Sequence, residues 1–193
     1  MRVDTNFQPI ETVRLRLRRS RVEDAETIST YRQEPQVSRY QGWERTDLGG
    51  VREAIAEMAG RAPGESDWVQ FTVEERDGGT LVGDVGLSPT ENEPGVIKVG
   101  YTMAPAAQGK GYATEAVQAL VGYAFDTLGA DVVRAYASAE NIPSHRVAEK
   151  AGLRLIERFE GRDDDGTAWS GVRFEIHRDE RPSPDHPFSV PLP

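Results

Sequence analysis

Apolar residues recur along this chain with two different periods, and the changes of period mark out its elements. Between residues 13 and 18, Val13, Leu15 and Leu17 alternate with Arg14, Arg16 and Arg18, which predicts a half-buried strand whose arginines face water or a sheet edge. A helix is predicted over residues 21–33, with Ala25, Ile28 and Tyr31 inward and Pro35 limiting its continuation. A second helix runs from Thr46 or Asp47, either of which can cap it, to Met58, ahead of a glycine-bounded break at residues 60–64. Residues 68–73 and 81–87 read as a hairpin turned by Asp77, Gly78 and Gly79. Residues 96–103 add a third strand, giving an antiparallel meander.

Helical periodicity returns with Val117, Leu120, Val121, Ala124 and Leu128, and Gly129 is the predicted stop. The strand expected at residues 132–137 is then parallel to the preceding one, because a helix crosses between them. Asn141 followed by Pro143 marks a helix start leading to Lys150, with Val147, Ala148 and Ala151 inward and Gly152 as the cap. Residues 153–160 and 172–177 form a terminal hairpin through Asp163, Asp164, Asp165 and Gly166. Its aspartates lack the spacing and the distal glutamate of a calcium loop, so a solvated turn is expected. Residues 179–193 hold five of the 12 prolines and read as an extended tail, in which Phe188, Val190 and Leu192 are spaced to face one way.

Three stretches break these patterns and carry the candidate chemistry. Asp84 is a carboxylate inside an apolar strand, and reads either as a base or acceptor anchor or as a structural hydrogen-bond acceptor. Residues 35–43 are polar and aromatic with no period, and on the residues alone Trp43 suits a side chain that covers the core. The third is the loop Gln108, Gly109, Lys110, Gly111, Tyr112, Ala113 and Thr114, between a strand and a helix. Glycines there allow close backbone approach, and the helix N-terminus favours phosphate oxygens. Tyr112 after Gly111 excludes the nucleotide P-loop, and Thr114 excludes the dinucleotide fingerprint.

The loop does match Gln/Arg-x-x-Gly-x-Gly/Ala. With Val99, Gly100 and Tyr101 before it, Thr114, Glu115 and Ala116 after it, and Asn141 and Ser144 downstream, the chain resembles the GNAT N-acyltransferases. More narrowly, it resembles the family's branch of ribosomal-protein N-terminal acetyltransferases and their relatives. The resemblance implies an α/β (α+β) fold: a mixed, mostly antiparallel sheet of about seven strands, splayed between strands four and five and flanked by about four helices. It also implies acetyl transfer from acetyl-CoA to a primary amine, either a peptide N-terminus or a small molecule, by direct attack in a ternary complex.

By the same resemblance, the amides of residues 109–114 hold the pyrophosphate and backbone groups of Tyr101, Thr102 and Met103 hold pantetheine. Asn141 contacts the CoA arm, and Lys110 and Arg146 either meet phosphates or are surface charges. Ser144 stands where relatives place the proton donor, though it also suits a helix start. A backbone donor near residues 99–101 serves the carbonyl oxygen if the strand carries a bulge beside Gly100. Lys98 stands where relatives often have a glutamate base, which leaves Glu160, Asp84 or water for that role. In relatives residues 35–43 form one wall of the acceptor cleft, which makes Tyr40 and Trp43 the acceptor candidates. A CoA-binding sensor or regulatory module without turnover is the alternative reading.

Composition narrows the setting. The 193 residues, 37% hydrophobic and 28% charged, suit one domain over residues 1–180 with a tail at 181–193. With no cysteine there is no disulfide, thiolate metal site or thiol nucleophile; no metal is expected, and a cytoplasmic setting is. A net charge of −9 argues against nucleic acid; it is compatible with a cationic acceptor but more simply keeps the chain soluble, and no apolar run predicts a membrane span. A homodimer is expected because relatives of this branch commonly pair.

Overall fold

The computed structural model describes residues 1–42, 45–65, 67–162 and 168–181. Its strands are β1 (Ile10–Glu11), β2 (Leu15–Arg19), β3 (Val69–Glu75), β4 (Leu81–Pro89), β5 (Val96–Met103), β6 (Val132–Ser138), β7 (Arg154–Arg162) and β8 (Ala168–His177). Its helices are α1 (Ala25–Arg32), the single turn α2 (Pro35–Ser38), α3 (Leu48–Met58), α4 (Tyr112–Asp126) and α5 (Ile142–Lys150). All strands join one sheet in the order β1-β2-β3-β4-β5-β6-β8-β7. Every pairing is antiparallel except β5 with β6.

Local chemistry explains most boundaries. Asp47 caps α3 by accepting from the Gly50 amide at 2.9 Å, and Asn141 caps α5 by accepting from the Ser144 amide at 3.2 Å. α1 is preceded by a 3-10 turn at Val22–Asp24. Residues 35–38, read as aperiodic, form a helical turn because Pro35 opens it with its ring already at a helical φ. The strand expected from residue 13 begins at Leu15, since the Thr12 amide and hydroxyl both turn back to the Leu15 carbonyl. β1 is too short for a sequence signal, and it raises the strand count from about seven to eight. Trp43, the turn at residues 163–167 and the apolar tail residues lie outside the described residues.

The sheet's two faces differ in chemistry. Val117, Leu120, Val121 and Ala124 of α4 are buried against Phe71, Val85, Leu87 and Val99, forming the main core with α5. On the other face α1 and α3 share a small apolar cluster of Ala25, Ile28, Tyr31, Val51 and Ile55. Beneath it lie polar strand residues, which are paired. Arg18 donates to Asp24 and Glu74, and Thr72 to Asp24, so Arg18, expected to face water or an edge, is mostly covered.

The splay is visible in the register. β5 pairs with β6 from Val96↔Val132 to Val99↔Ala135 and then stops, although both strands continue. On its other side β5 stays paired with β4 from Pro89↔Ile97 to Gly83↔Met103 without a register shift. The bulge on which a donor beside Gly100 depended is therefore absent from that pairing. Gly86 and Gly100, paired in this register, lie under the Trp68 indole. A Cβ at Gly86 would come within 2.3 Å of that ring, and one at Gly100 within 3.0 Å.

Candidate active site

The parting of β5 from β6 leaves backbone groups pointing into a gap. The Thr90 amide donates to the Val96 carbonyl and the Ala104 amide to the Val82 carbonyl, which turns even-numbered residues of β5 toward β4. The main-chain groups of Val99, Tyr101 and Met103 consequently face β6. After Val99 no β6 partner meets them, so Tyr101 and Met103 present groups to the opening, while those of Thr102 turn away. Gln108 Nε2 already uses one of them, donating to the Met103 carbonyl at 3.1 Å.

This opening is a cavity of about 420 Å³. Of the residues nominated from sequence, Tyr40, Tyr101, Thr102, Met103, Gln108, Gly109, Gly111, Tyr112, Ala113, Thr114, Asn141, Ser144 and Arg146 all line it. Lys110, Asp84 and Glu160 do not. Gln36 and Gln41, in the segment expected to wall the acceptor cleft, line the cavity too, whereas sequence reasoning missed Tyr136 and Lys150. Lys150 could have been found, because it lies one turn beyond Arg146 and puts a second cation on that face of α5. Tyr136 carried no signal, being one more aromatic residue in a strand.

The loop has the shape an anion needs. Gly109 and Gly111 sit at φ 75° and 81°, and Gly111 is the residue from which α4 starts. A Cβ at Gly109 would meet nothing within 4 Å, so its requirement is conformational. The first amides of α4 have no intrahelical acceptor and open on the cavity beside Tyr112, Ala113 and Thr114. A pyrophosphate fits this cradle.

Deeper in the gap a hydroxyl pair spans β5 and α5. The Tyr101 hydroxyl donates to the Ser144 carbonyl at 2.8 Å and lies 2.9 Å from Ser144 Oγ. Burial pushes the Tyr101 phenol up to about 12, against the opposing hydrogen bond from Ser144, so it keeps its proton at neutral pH. Asn141 Oδ1 holds the Ser144 amide, so its capping role is present and fixes the serine backbone.

The nominated carboxylates stand elsewhere. Asp84 is buried, accepting from the Tyr31 hydroxyl, from Gln70 at 2.5 Å and from Arg32 at 3.3 Å. Burial pushes its pKa up, while Arg32 and Tyr31 pull it back. Glu160 is exposed on β7 and accepts from Ser170 Oγ at 2.7 Å. Lys98 lies beside Arg134 in the register, and Arg134 is held by Glu93 and Glu175, each at 2.6 Å. Among the described residues no carboxylate lines the cavity. Nor, among them, are three or more His, Asp or Glu side chains grouped to hold a metal, or any helix long and apolar enough to cross a membrane.

Comparison with known proteins agrees with this geometry. The family described as acetyltransferase (GNAT) domain matches residues 14–154. The uncharacterized N-acetyltransferase p20 of Bacillus licheniformis is 30% identical over 163 residues, covering 81% of this chain and 91% of that protein. A GNAT-family acetyltransferase from Bacillus anthracis superposes with a TM-score of 0.78 at 24% identity, covering 89% of this chain and 99% of that one. RimL, a ribosomal L7/L12 α-N-protein acetyltransferase solved in complex with coenzyme A, superposes with a TM-score of 0.75 at 14% identity, over 90% and 100% of the two chains. At these identities the structural likeness concerns the fold.

Proposed function

The chain belongs to the GNAT acetyltransferase family, and from that premise we propose that it moves an acetyl group from acetyl-CoA to a weakly basic primary amine in a ternary complex. The observation that carries this reading is that one cavity joins the glycine loop, the unpaired edge of β5 and the Tyr101–Ser144 pair. In this reading acetyl-CoA supplies the thioester. The loop amides of residues 109–114 hold its pyrophosphate, assisted by Arg146 and Lys150. The β5 edge at Tyr101 and Met103 holds the pantetheine arm, and Asn141 keeps Ser144 in place.

Acetyl transfer forms a C–N bond, breaks a C–S bond, adds a proton to sulfur and removes one from nitrogen. Ser144 Oγ is the proposed proton donor to sulfur, with the partly buried Tyr101 hydroxyl beside it to restore the proton. Among the described residues no carboxylate lines the cavity to take the nitrogen proton, which leaves that role to solvent in this reading. That favours an acceptor that loses its proton easily. An α-amine with a pKa of ~7.7–8.0 is neutral in roughly a tenth of molecules at pH 7, whereas a lysine amine near ~10.4 costs about 4.6 kcal/mol to deprotonate. A peptide N-terminus or a small amine of similar basicity is the proposed acceptor, between the wall at Gln36, Tyr40 and Gln41 and Tyr136 opposite. The missing carboxylate also favours the second reading, a CoA-binding sensor without turnover.

Thiol release from acetyl-CoA across a panel of amines separates the two readings. The acidic limb of kcat/KM is expected to follow each amine's own pKa, and Ser144→Ala to lower kcat by about ten- to a hundredfold with CoA affinity within about twofold. CoA binding with no thiol release on any amine would favour the sensor. A limb fixed near pH 5 for every amine would reinstate a protein carboxylate as base.

The unit proposed to do this is residues 1–180, acting in the cytoplasm as a homodimer. Sedimentation of the full chain and of one ending at Asp179 is expected to give a dimer in both. A monomeric full-length chain would remove the pairing, and a dimer lost on truncation would assign it to the tail.

A further inference from the structure

The turn before β2 and the first turn of α4 are about a hundred residues apart in sequence and tied together at one carboxylate. Glu115 Oε1 accepts from the Thr12 hydroxyl at 2.6 Å and the Arg14 amide at 2.8 Å, and its Oε2 accepts from Arg14 Nε at 2.7 Å. The same guanidinium donates through Nη1 to the Lys110 carbonyl at 2.9 Å and lies 4.7 Å from the centre of the Tyr112 ring. Its Nη2 is 3.4 Å from where a Cβ on Gly111 would be. Arg14 therefore touches the glycine loop, the residue that opens α4 and the helix's first turn at once. It does so from outside the cavity, among whose walls it is not counted.

Glu115 lies in the first turn of α4, where the helix dipole favours a carboxylate but where its charge would also repel a pyrophosphate. We propose that Arg14 and Glu115 form a latch that presets the glycine loop for pyrophosphate, with both acting as positioning residues. This rests on the CoA reading above. Three donors converge on Glu115. They hold its pKa below the ordinary glutamate range despite its partial burial, which acts the other way. Arg14 is half exposed, so the pair is placed to fix a loop rather than to build the core.

Simple charge and the latch predict opposite signs for Glu115→Gln. Removing a negative charge beside an anion site should tighten CoA binding. Breaking the latch should weaken it, since an amide has one acceptor oxygen for the three donors and its NH₂ would oppose them. In the full chain, calorimetry with CoA is expected to show roughly five- to tenfold weaker binding. Hydrogen exchange of the ligand-free protein should speed up at residues 108–114 and stay unchanged in β3 and β4. Thr12→Val, which deletes one donor, should shift both readouts the same way by less. CoA affinity equal to or tighter than the parent's, with unchanged loop exchange, overturns the latch. A parent chain that binds no CoA overturns the CoA reading itself.

Discussion

Replacing Gly111 with glutamate is expected to weaken CoA binding by at least about a hundredfold, roughly 2.7 kcal/mol, in a protein that still folds. Three effects act together. Gly111 holds φ at 81°, where an L-residue is strained by roughly 1–2 kcal/mol, so the loop would relax away from the geometry that opens α4. The new side chain would start 3.4 Å from Arg14 Nη2, and its carboxylate would draw that guanidinium from Lys110 and Glu115. It would also place a fixed anion at the helix N-terminus that a phosphate is meant to occupy. Gly111→Ala separates the first effect from the others and should cost about tenfold. Calorimetry on the folded variants is the check. Parent-like affinity in Gly111→Glu would remove the loop from the CoA site.

What the sequence disclosed was what is local. The period of α4 is readable because Val117, Leu120, Val121, Ala124 and Leu128 all pack inward from one helix and its C-terminal turn, and each is buried. The glycine loop is readable because its chemistry needs neighbouring residues in a fixed order. The arginines of β2 show the limit. Alternation alone turns Arg14, Arg16 and Arg18 outward, yet Arg18 is enclosed by Asp24 and Glu74 and Arg14 is bound to Glu115. Side-chain period gives a face; it does not tell what covers that face.

The same limit explains the splay and the carboxylates. Nothing in residues 96–103 records where β6 stops following them, because that depends on β6 staying paired with β8 as far as Ser138↔Gly171 while β5 keeps to β4. The family resemblance supplied that expectation. Glu160 was nominated by a loose match to relatives, and the hairpin register places it against Ser170 on the outermost strand. Asp84 was correctly singled out as unusual. Its partners, Gln70, Tyr31 and Arg32, come from another strand and from α1, at separations with no sequence signature.

Those partners make Asp84→Ala the substitution with the largest expected effect on stability, about 2–4 kcal/mol lost. The Asp84 and Arg32 side chains are 7% and 9% exposed. Removing the carboxylate takes the acceptor from two buried donors, the Tyr31 hydroxyl and the Gln70 amide, and one of its partners from Arg32. Asp84→Asn keeps the shape and some of the bonds, and should cost less. The pH dependence has a definite sign. Burial raises the folded-state pKa of Asp84, so the folded protein holds this proton more tightly than the unfolded chain. Its contribution is greatest below the unfolded value near ~3.9 and declines as pH rises through the raised folded value. The parent's advantage over Asp84→Asn should therefore be largest in acid and shrink toward neutrality. α1 leads directly into the Gln36–Gln41 wall, so a loosened anchor should also raise KM for the acceptor more than it lowers kcat. Denaturant unfolding at several pH values tests the argument, and an Asp84→Ala protein within about 1 kcal/mol of the parent would overturn the anchoring role assigned to Asp84.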